Sequence, residues 1–281
     1  MFHLFSVASD EQQARYLKES TRLSGVPLTL LKIETWTGYV DKITKMKETI
    51  HSLPDDDIVC FVDAYDVIAY ANTEEIVRKY LRYDHEIVFG AELGVFPGHL
   101  QGRYDKIFET IKTFPTKYMY LNSGGYIGRV GAVRSMLNWM DEDGIQESCR
   151  HGGDQNYYSL YYLDYIANKA DKTTRHLCID IYQSIFQNIC RVPLTDFSFV
   201  EGRLYNRVLK EMPAFLHLNG FKTYHDTVVH LHTENKEPVM EVFFQKPLET
   251  KDHPIIIPVT YRLPFSIYYN YQDVSIPLSQ I

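Results

Sequence analysis

An uninterrupted apolar run, IVCFV at residues 58–62, places the strongest constraint on how this chain can fold. A run of this length without polar alternation is typical of a strand that is buried on both faces, as in a parallel sheet covered by helices. A helical pattern precedes the run at residues 40–50, and another follows it at residues 73–81, with Thr73 as the expected N-cap. The sequence therefore predicts an α/β domain.

The same alternation continues along most of the chain. Further strands are predicted at residues 3–9, 28–34, 86–92 and 118–130, and further helices at residues 10–23, 131–140 and 154–166. The segment 118–130 is expected to fold as a strand, a turn and a second strand. From residue 240 the chain is rich in Pro, Ile and Tyr without helical periodicity, which predicts an extended or β appendage. We thus expect a main domain at residues 1–239 and an appendage at residues 240–281.

Composition and charge exclude several classes of protein. The 281 residues carry a net charge of −7, which is not the basic footprint of a nucleic-acid binder. Aromatic residues make up 14% of the chain, which is too many for a disordered protein. No apolar run approaches the roughly 20 residues of a membrane span, and the N-terminus lacks the basic segment of a secretory signal. We therefore expect no nucleic-acid partner, no membrane span and, by default, a cytoplasmic protein.

Two carboxylates directly follow the apolar strand. Asp63 and Asp66 flank Ala64 and Tyr65 in a D-x-x-D arrangement. In open α/β sheets, ligands bind beyond the carboxyl ends of the strands. Carboxylate oxygens there suit a hard divalent cation that also holds phosphate oxygens. The motif predicts an anchor for a metal–diphosphate, and a solvated turn is the alternative.

A second polar motif is LNSGGYIG at residues 121–128. Asn122 and Ser123 supply donors and acceptors suited to a sugar-like ligand. Gly124 and Gly125 permit a close backbone approach or a positive φ. An ordinary hairpin turn is the alternative interpretation.

Two further motifs carry charged side chains. Asp154 follows two glycines in the sequence GGDQ, at the start of a predicted helix where a carboxylate is stabilised. It could equally be an N-cap. His217 begins the sequence HLNGFK, in which the histidine could bind a metal and Lys222 could bind a phosphate.

Together these motifs, in this order and spacing, resemble the GT-A glycosyltransferase domain of the multifunctional procollagen lysyl hydroxylases. The matching strings are SVAS at 6–9, ETWTG at 34–38, FVDAYDVI at 61–68, FGAE at 89–92, YLNSGGYIG at 120–128, GDQNYY at 153–158, IYQSIFQN at 181–188 and HLNG at 217–220. The resemblance spans residues 3–224. It implies a GT-A type, Rossmann-like mixed sheet flanked by helices, in a free-standing transferase.

The resemblance also implies a role for individual residues. Asp63, Asp66 and His217 would bind Mn²⁺ or another divalent cation, which would hold the diphosphate of a UDP-sugar donor. The nucleotide pocket would be lined by Val7, Ala8, Ser9, Trp36, Ala64 and Tyr65. The diphosphate would meet Gly220 and Lys222, and the donor sugar would lie near Asn122, Ser123 and Gly124. Asp154 and Gln155 would face the donor sugar and the acceptor, so the catalytic set would be Asp154, Gln155 and Asn122.

The implied reaction is a retaining transfer of glucose from UDP-glucose to galactosyl-hydroxylysine in collagen-like proteins. A hydroxylysine galactosyltransferase that uses UDP-galactose and a non-catalytic nucleotide-sugar binding module are the alternatives. The chain departs from the family at Gly153, where the family has an aspartate, and at Phe96, where the family has a Trp after its Ala-Glu pair. The family works in the secretory lumen, in conflict with the default cytoplasmic location. A homo-oligomer built through the appendage also stays open.

Overall fold

The computed structural model describes residues 1–110, 114–168, 176–193, 196–200 and 203–219, and the backbone of strands at 228–234, 237–249 and 254–264. The chain divides into two compact units. The first comprises Met1–Cys190 with Pro213–Asn219, and the second comprises Arg191–Met212 with Gly220–Ile281.

The first unit alternates strands and helices, as the sequence predicts. Its strands are β1 (Phe2–Ala8), β2 (Leu28–Lys32), β3 (Ile58–Val62), β4 (Val67–Ala69), β5 (Ile87–Glu92), β6 (Tyr120–Arg129), β7 (Leu177–Ile179), β8 (Phe186–Asn188) and, after two strands of the second unit, β11 (Phe215–His217). Its helices are α1 (Arg15–Ser24), α2 (Val40–Ile50), α3 (Thr73–Leu81), α4 (Gln101–Phe108), α5 (Val130–Leu137), α6 (Glu142–Arg150) and α7 (Gly153–Ala167).

These strands form one mixed sheet in the order β2-β1-β3-β6-β5-β8-β11-β4, and β7 pairs with β5. Strands β1, β2 and β3 are parallel, whereas β6 runs antiparallel to both β3 and β5. Every residue of β3 is buried, as its continuous apolar run predicts. The predicted α/β, Rossmann-like mixed sheet with flanking helices is confirmed.

Several local predictions are wrong. The segment predicted as strand, turn and strand is the single strand β6, whose pairing with β5 shifts register between Phe89 and Gly90. The N-cap of α3 is Asn72, whose side chain accepts a hydrogen bond from Glu75 N, rather than Thr73. Helix α1 begins only at Arg15, because the Asp10 side chain accepts hydrogen bonds from the backbone in a preceding turn.

The second unit contains two antiparallel sheets. Strands β9 (Phe197–Val200) and β10 (Arg203–Asn206) form the first. Strands β12 (Val228–Glu234), β13 (Glu237–Glu249) and β14 (Pro254–Pro264) form the second, in that order. The predicted boundary after residue 239 stays a prediction. None of the helices in the described part of the chain is long and apolar enough to cross a membrane.

Candidate active site

Backbone hydrogen bonds fix both ends of the acidic loop that follows β3. Asp63 N donates to Gly124 O of β6 at 2.9 Å, and Leu218 N donates to Asp66 O at 2.7 Å. The loop is therefore tied on one side to the glycine pair of β6 and on the other to the end of β11. These ties bring motifs that lie far apart in sequence to one edge of the sheet.

Asp63, Asp66 and His217 meet at this edge. One ligand atom from each lies within 4.8 Å of the others. The Nε2 atom of His217 is 3.5 Å from Asp66 Oδ2 and 3.8 Å from Asp63 Oδ2. Two carboxylates and one imidazole form a donor set that suits Mn²⁺ and similar divalent cations. The side chains present therefore fit the metal that the sequence implies.

The glycine pair of β6 makes room for side chains of other strands. A Cβ atom at Gly124 would overlap the His217 ring, and one at Gly125 would lie 2.5 Å from the Phe186 ring. Neither glycine has a positive φ. The glycine pair therefore allows a close approach, as predicted, and it does not form the alternative hairpin turn.

Lys42 of α2 is a functional candidate that the sequence analysis missed. Its ammonium group forms a short ion pair with Asp63 and lies 3.4 Å from Asp154 Oδ2. Burial alone would lower the pKa of Lys42, but Asp154 and Asp63 outweigh burial and raise it above its usual value. The Lys42 ammonium group therefore lies between the predicted metal ligand Asp63 and the predicted catalytic carboxylate Asp154, and it forms an ion pair with each.

Asp154 lies in the first turn of α7 and is 4% exposed. The N-cap of that helix is Gly152, so the alternative that Asp154 serves as a cap is wrong. Burial raises the pKa of the Asp154 carboxyl, and Lys42 acts in the opposite direction. The structure thus brings this carboxylate to the metal-ligating edge through Lys42.

The two glycines before Asp154 are tightly packed. A Cβ at Gly152 would lie 2.5 Å from Pro97 Cγ, and a Cβ at Gly153 would lie 3.1 Å from the Tyr39 ring. Gly153 also has a φ of 67°, a conformation that other residues rarely adopt. The Tyr39 ring therefore lies where a side chain at residue 153 would begin. Phe96, next to Pro97, is exposed.

A buried hydrogen-bond network centres on Glu92, a second residue whose role the sequence analysis did not predict. The Glu92 carboxylate accepts from Gln155 at 2.6 Å, from Asn122 at 3.2 Å and from Asn219 at 3.0 Å. Gln155 Oε1 in turn accepts from Ser123 N at 3.2 Å. The network therefore brings together three of the predicted site residues, Asn122, Ser123 and Gln155.

The structure brings together some of the residues that are predicted to line the nucleotide pocket, but not all of them. The Tyr65 hydroxyl accepts hydrogen bonds from Ser9 N at 2.9 Å and from Asp10 N at 3.0 Å, so Tyr65 lies against the end of β1. Val7, Ala8 and Ala64 are buried beside this end or in the acidic loop. Trp36 is half-exposed and contacts the Tyr39 ring edge-on at 5.7 Å, with no described contact to Tyr65. Gly220 and Lys222 lie outside the described residues.

Comparisons with known proteins identify the family of this chain. A family model described as PLOD GT domain matches residues 3–229. Curated relatives include "Uncharacterized protein R699" of Acanthamoeba polyphaga mimivirus, which is 28% identical over 67% of this chain and 37% of its own length. "Procollagen-lysine,2-oxoglutarate 5-dioxygenase 2" of Homo sapiens is 28% identical over 78% of this chain and 28% of its own length. "Multifunctional procollagen lysine hydroxylase and glycosyltransferase LH3" of Pongo abelii is 26% identical over 76% of this chain and 29% of its own length.

The chain thus spans between 28% and 37% of the length of these relatives. The names of these relatives do not support the cytoplasmic location that the sequence analysis predicted by default. The family model covers well over half of the chain, and the sheet brings the matched motifs to one edge. The chain therefore belongs to the PLOD GT domain family, a family of glycosyltransferase domains.

Proposed function

We propose that this protein is a Mn²⁺-dependent, retaining glycosyltransferase that moves glucose from UDP-glucose to galactosyl-hydroxylysine of collagen-like proteins. The observation that carries the proposal is the convergence of Asp63, Asp66 and His217 beside the ion pair of Lys42 with the buried Asp154. The names of the procollagen-lysine relatives support a collagen-like acceptor.

The three ligands would hold the metal at the carboxyl end of β3. When bound, Mn²⁺ would neutralise the diphosphate and stabilise it as a leaving group. The Tyr65 ring, whose hydroxyl is fixed by the backbone at residues 9 and 10, would stack on the uracil. Trp36 would lie beside the uridine, and Lys222 would contact the diphosphate.

Two routes can retain the configuration at the anomeric carbon of the donor sugar. Asp154 would have a different role in each. A double displacement would use this carboxylate as a nucleophile at the anomeric carbon. In a front-face route, the bond to UDP breaks and the bond to the acceptor oxygen forms on the same face, while the departing phosphate takes the acceptor proton. Asp154 would then only support positive charge at the anomeric carbon. We favour the front-face route, because the Lys42 cation held against Asp154 weakens it as a nucleophile.

Two alternatives are retained. Transfer of galactose from UDP-galactose to hydroxylysine would use the same metal site. A binding module without transferase activity is favoured by Gly153, which stands where the resemblance implies an aspartate.

UDP release in the presence of Mn²⁺ separates these functions. UDP-glucose and UDP-galactose are each assayed with and without collagen from which the glucose has been removed. We expect acceptor-stimulated release from UDP-glucose that is lost in Asp66→Ala. Release from UDP-galactose alone would replace the proposal by the galactosyltransferase. UDP binding without release from either donor would replace it by the binding module.

Asp154→Asn tests the catalytic carboxylate in the same assay. We expect transfer to fall by about 10²-fold or more while UDP affinity stays unchanged, because electrostatic support acts on the transition state. Asp164→Asn, in the same helix but remote from Lys42, is the matched control. A loss of UDP affinity in Asp154→Asn would contradict the assignment.

A further inference from the structure

Asn188 is a buried polar residue that lies beside the metal-ligating histidine. It is 2% exposed and ends β8, where it pairs in register with His217 of the parallel strand β11. Residues paired in this way project from the same face of a sheet. The two side chains therefore meet, and Asn188 Oδ1 lies 2.8 Å from His217 Nδ1.

The orientation of the Asn188 amide follows from its other contact. Its Nδ2 atom donates to Ala91 O at 2.9 Å. A backbone carbonyl can only accept, so the NH₂ end of the amide must face Ala91 and the oxygen must face His217. An amide oxygen also can only accept. The hydrogen in this contact therefore belongs to His217 Nδ1.

A second amide imposes the same arrangement. Asn122 Nδ2 donates to the Glu92 carboxylate at 3.2 Å, and Gly124 N donates to Asn122 Oδ1 at 3.0 Å. Both contacts fix the Asn122 oxygen toward His217 Nδ1, at 3.1 Å. Two oxygens thus converge on one ring nitrogen.

The surroundings of the other ring nitrogen, Nε2, favour the opposite tautomer. Without the two amides, the carboxylates of Asp66 and Asp63 would favour a hydrogen on Nε2, which lies 3.5 and 3.8 Å from them. A hydrogen there would occupy the lone pair that a metal ion needs. The structure contains an acceptor pair on the far side of the ring, and these two oxygens favour the tautomer that carries its hydrogen on Nδ1.

We infer that Asn188 is a positioning residue, which fixes His217 in the Nδ1–H tautomer and in the orientation that presents Nε2 to a divalent cation. This inference rests on the metal site of the proposed function. It does not depend on the donor sugar or on the acceptor.

Three variants test it. Asn188→Leu removes the acceptor, Asn188→Asp keeps an acceptor as in the carboxylate–histidine pairs of other metal sites, and Gln187→Leu is the control on the same strand. The tautomer of His217 is read in metal-free protein by ¹⁵N NMR of labelled histidine. The Mn²⁺ dissociation constant is read from the electron paramagnetic resonance of free Mn²⁺, and folding is monitored by thermal unfolding.

We expect wild-type His217 to be the Nδ1–H tautomer. We expect Asn188→Leu to shift it toward Nε2–H and to weaken Mn²⁺ binding by about 10- to 100-fold, the usual cost of losing such a partner. Asn188→Asp should retain both the tautomer and the affinity to within a few-fold. Gln187→Leu should lose thermal stability while Mn²⁺ affinity stays within a few-fold of the wild type, because its side chain donates to Tyr118, to Gln183 and to the backbone carbonyl of Asn188, and its loss leaves the Asn188 side chain in place.

Two results would overturn the inference: Nε2–H in the metal-free wild type, or wild-type Mn²⁺ affinity in a folded Asn188→Leu variant. If Asn188→Leu does not fold, the tautomers of the wild type and of Asn188→Asp decide. The NMR measurement needs neither metal nor substrate, whereas UDP release tests only the proposed function. The two can therefore fail separately.

Discussion

At the scale of single residues, Lys42 shows what a sequence pattern can and cannot reveal. It lies four residues before Met46 and eight before Ile50, both of which are buried on α2. A charge on an apolar stripe was therefore visible in the sequence. The ion-pair partners of this charge were not visible, because Asp63 and Asp154 come close to Lys42 only when the sheet has folded. The acidic loop was easier to predict, since both aspartates directly follow a strand.

Replacement of Lys42 tests its electrostatic role. In Lys42→Met, the buried Asp154 and the partly buried Asp63 lose their cation, so we expect metal-free protein to lose about 3–5 kcal/mol of unfolding free energy in urea. Mn²⁺ should restore more stability to the variant than it adds to the wild type, because it would replace the missing positive charge beside Asp63. Lys45→Met, at an exposed ion pair of the same helix, is the control. A loss below about 1 kcal/mol would contradict this role.

Gly124 tests the steric basis of the metal site. A methyl group at this position would displace the His217 ring, so Gly124→Ala should weaken Mn²⁺ binding by at least about 10-fold, a loss comparable to that of a missing partner of a ligating histidine. Gly102→Ala, in α4 with no atom within 4 Å of the added carbon, should bind Mn²⁺ as the wild type does. Paramagnetic resonance titration of both variants gives the comparison. Equal affinities would show that the ring can move without cost to binding.

At the scale of elements, β6 and α7 show why glycine pairs are hard to interpret from sequence. Gly124 and Gly125 fit a turn as well as they fit a strand, and only the rings of His217 and Phe186, from other strands, decide between the two. The start of α7 was predicted correctly. Its packing against Tyr39 was not, because that contact joins segments over 100 residues apart in sequence.

Introducing at residue 153 the carboxylate that the family resemblance implies should therefore harm the protein rather than improve it. Gly153→Asp would force an aspartate to a φ of 67° against the Tyr39 ring, at a cost of about 1–3 kcal/mol from the backbone alone. We expect a lower melting temperature and no gain in UDP release. Gly153→Ala should show the same loss of stability, because alanine introduces the backbone strain without the charge. The comparison therefore separates the effect of strain from the effect of charge. A stable Gly153→Asp variant with increased release would instead show that the site had lost a useful carboxylate.

At the scale of the whole molecule, the predicted α/β sheet is confirmed, whereas the boundary after residue 239 stays a prediction. The apolar run of β3 and the alternation around it fixed the class of fold, because both depend on local pattern. The second unit instead draws on two stretches separated in sequence, Arg191–Met212 and Gly220–Ile281. No change in composition marks residue 191, so a single boundary after residue 239 was the natural prediction.

Two truncations test that boundary. Ending the chain after residue 227 removes β12, β13 and β14 together, and we expect Mn²⁺ affinity to persist because all three ligands belong to the first unit. Ending it after residue 239 leaves β12 paired with only three residues of β13. An unpaired strand edge promotes association between chains, so this truncation should aggregate more, as measured by light scattering. If it instead stays as monodisperse as the shorter chain, that result would support residue 239 as the boundary. Loss of Mn²⁺ binding in the shorter chain would show that the site depends on residues beyond 227.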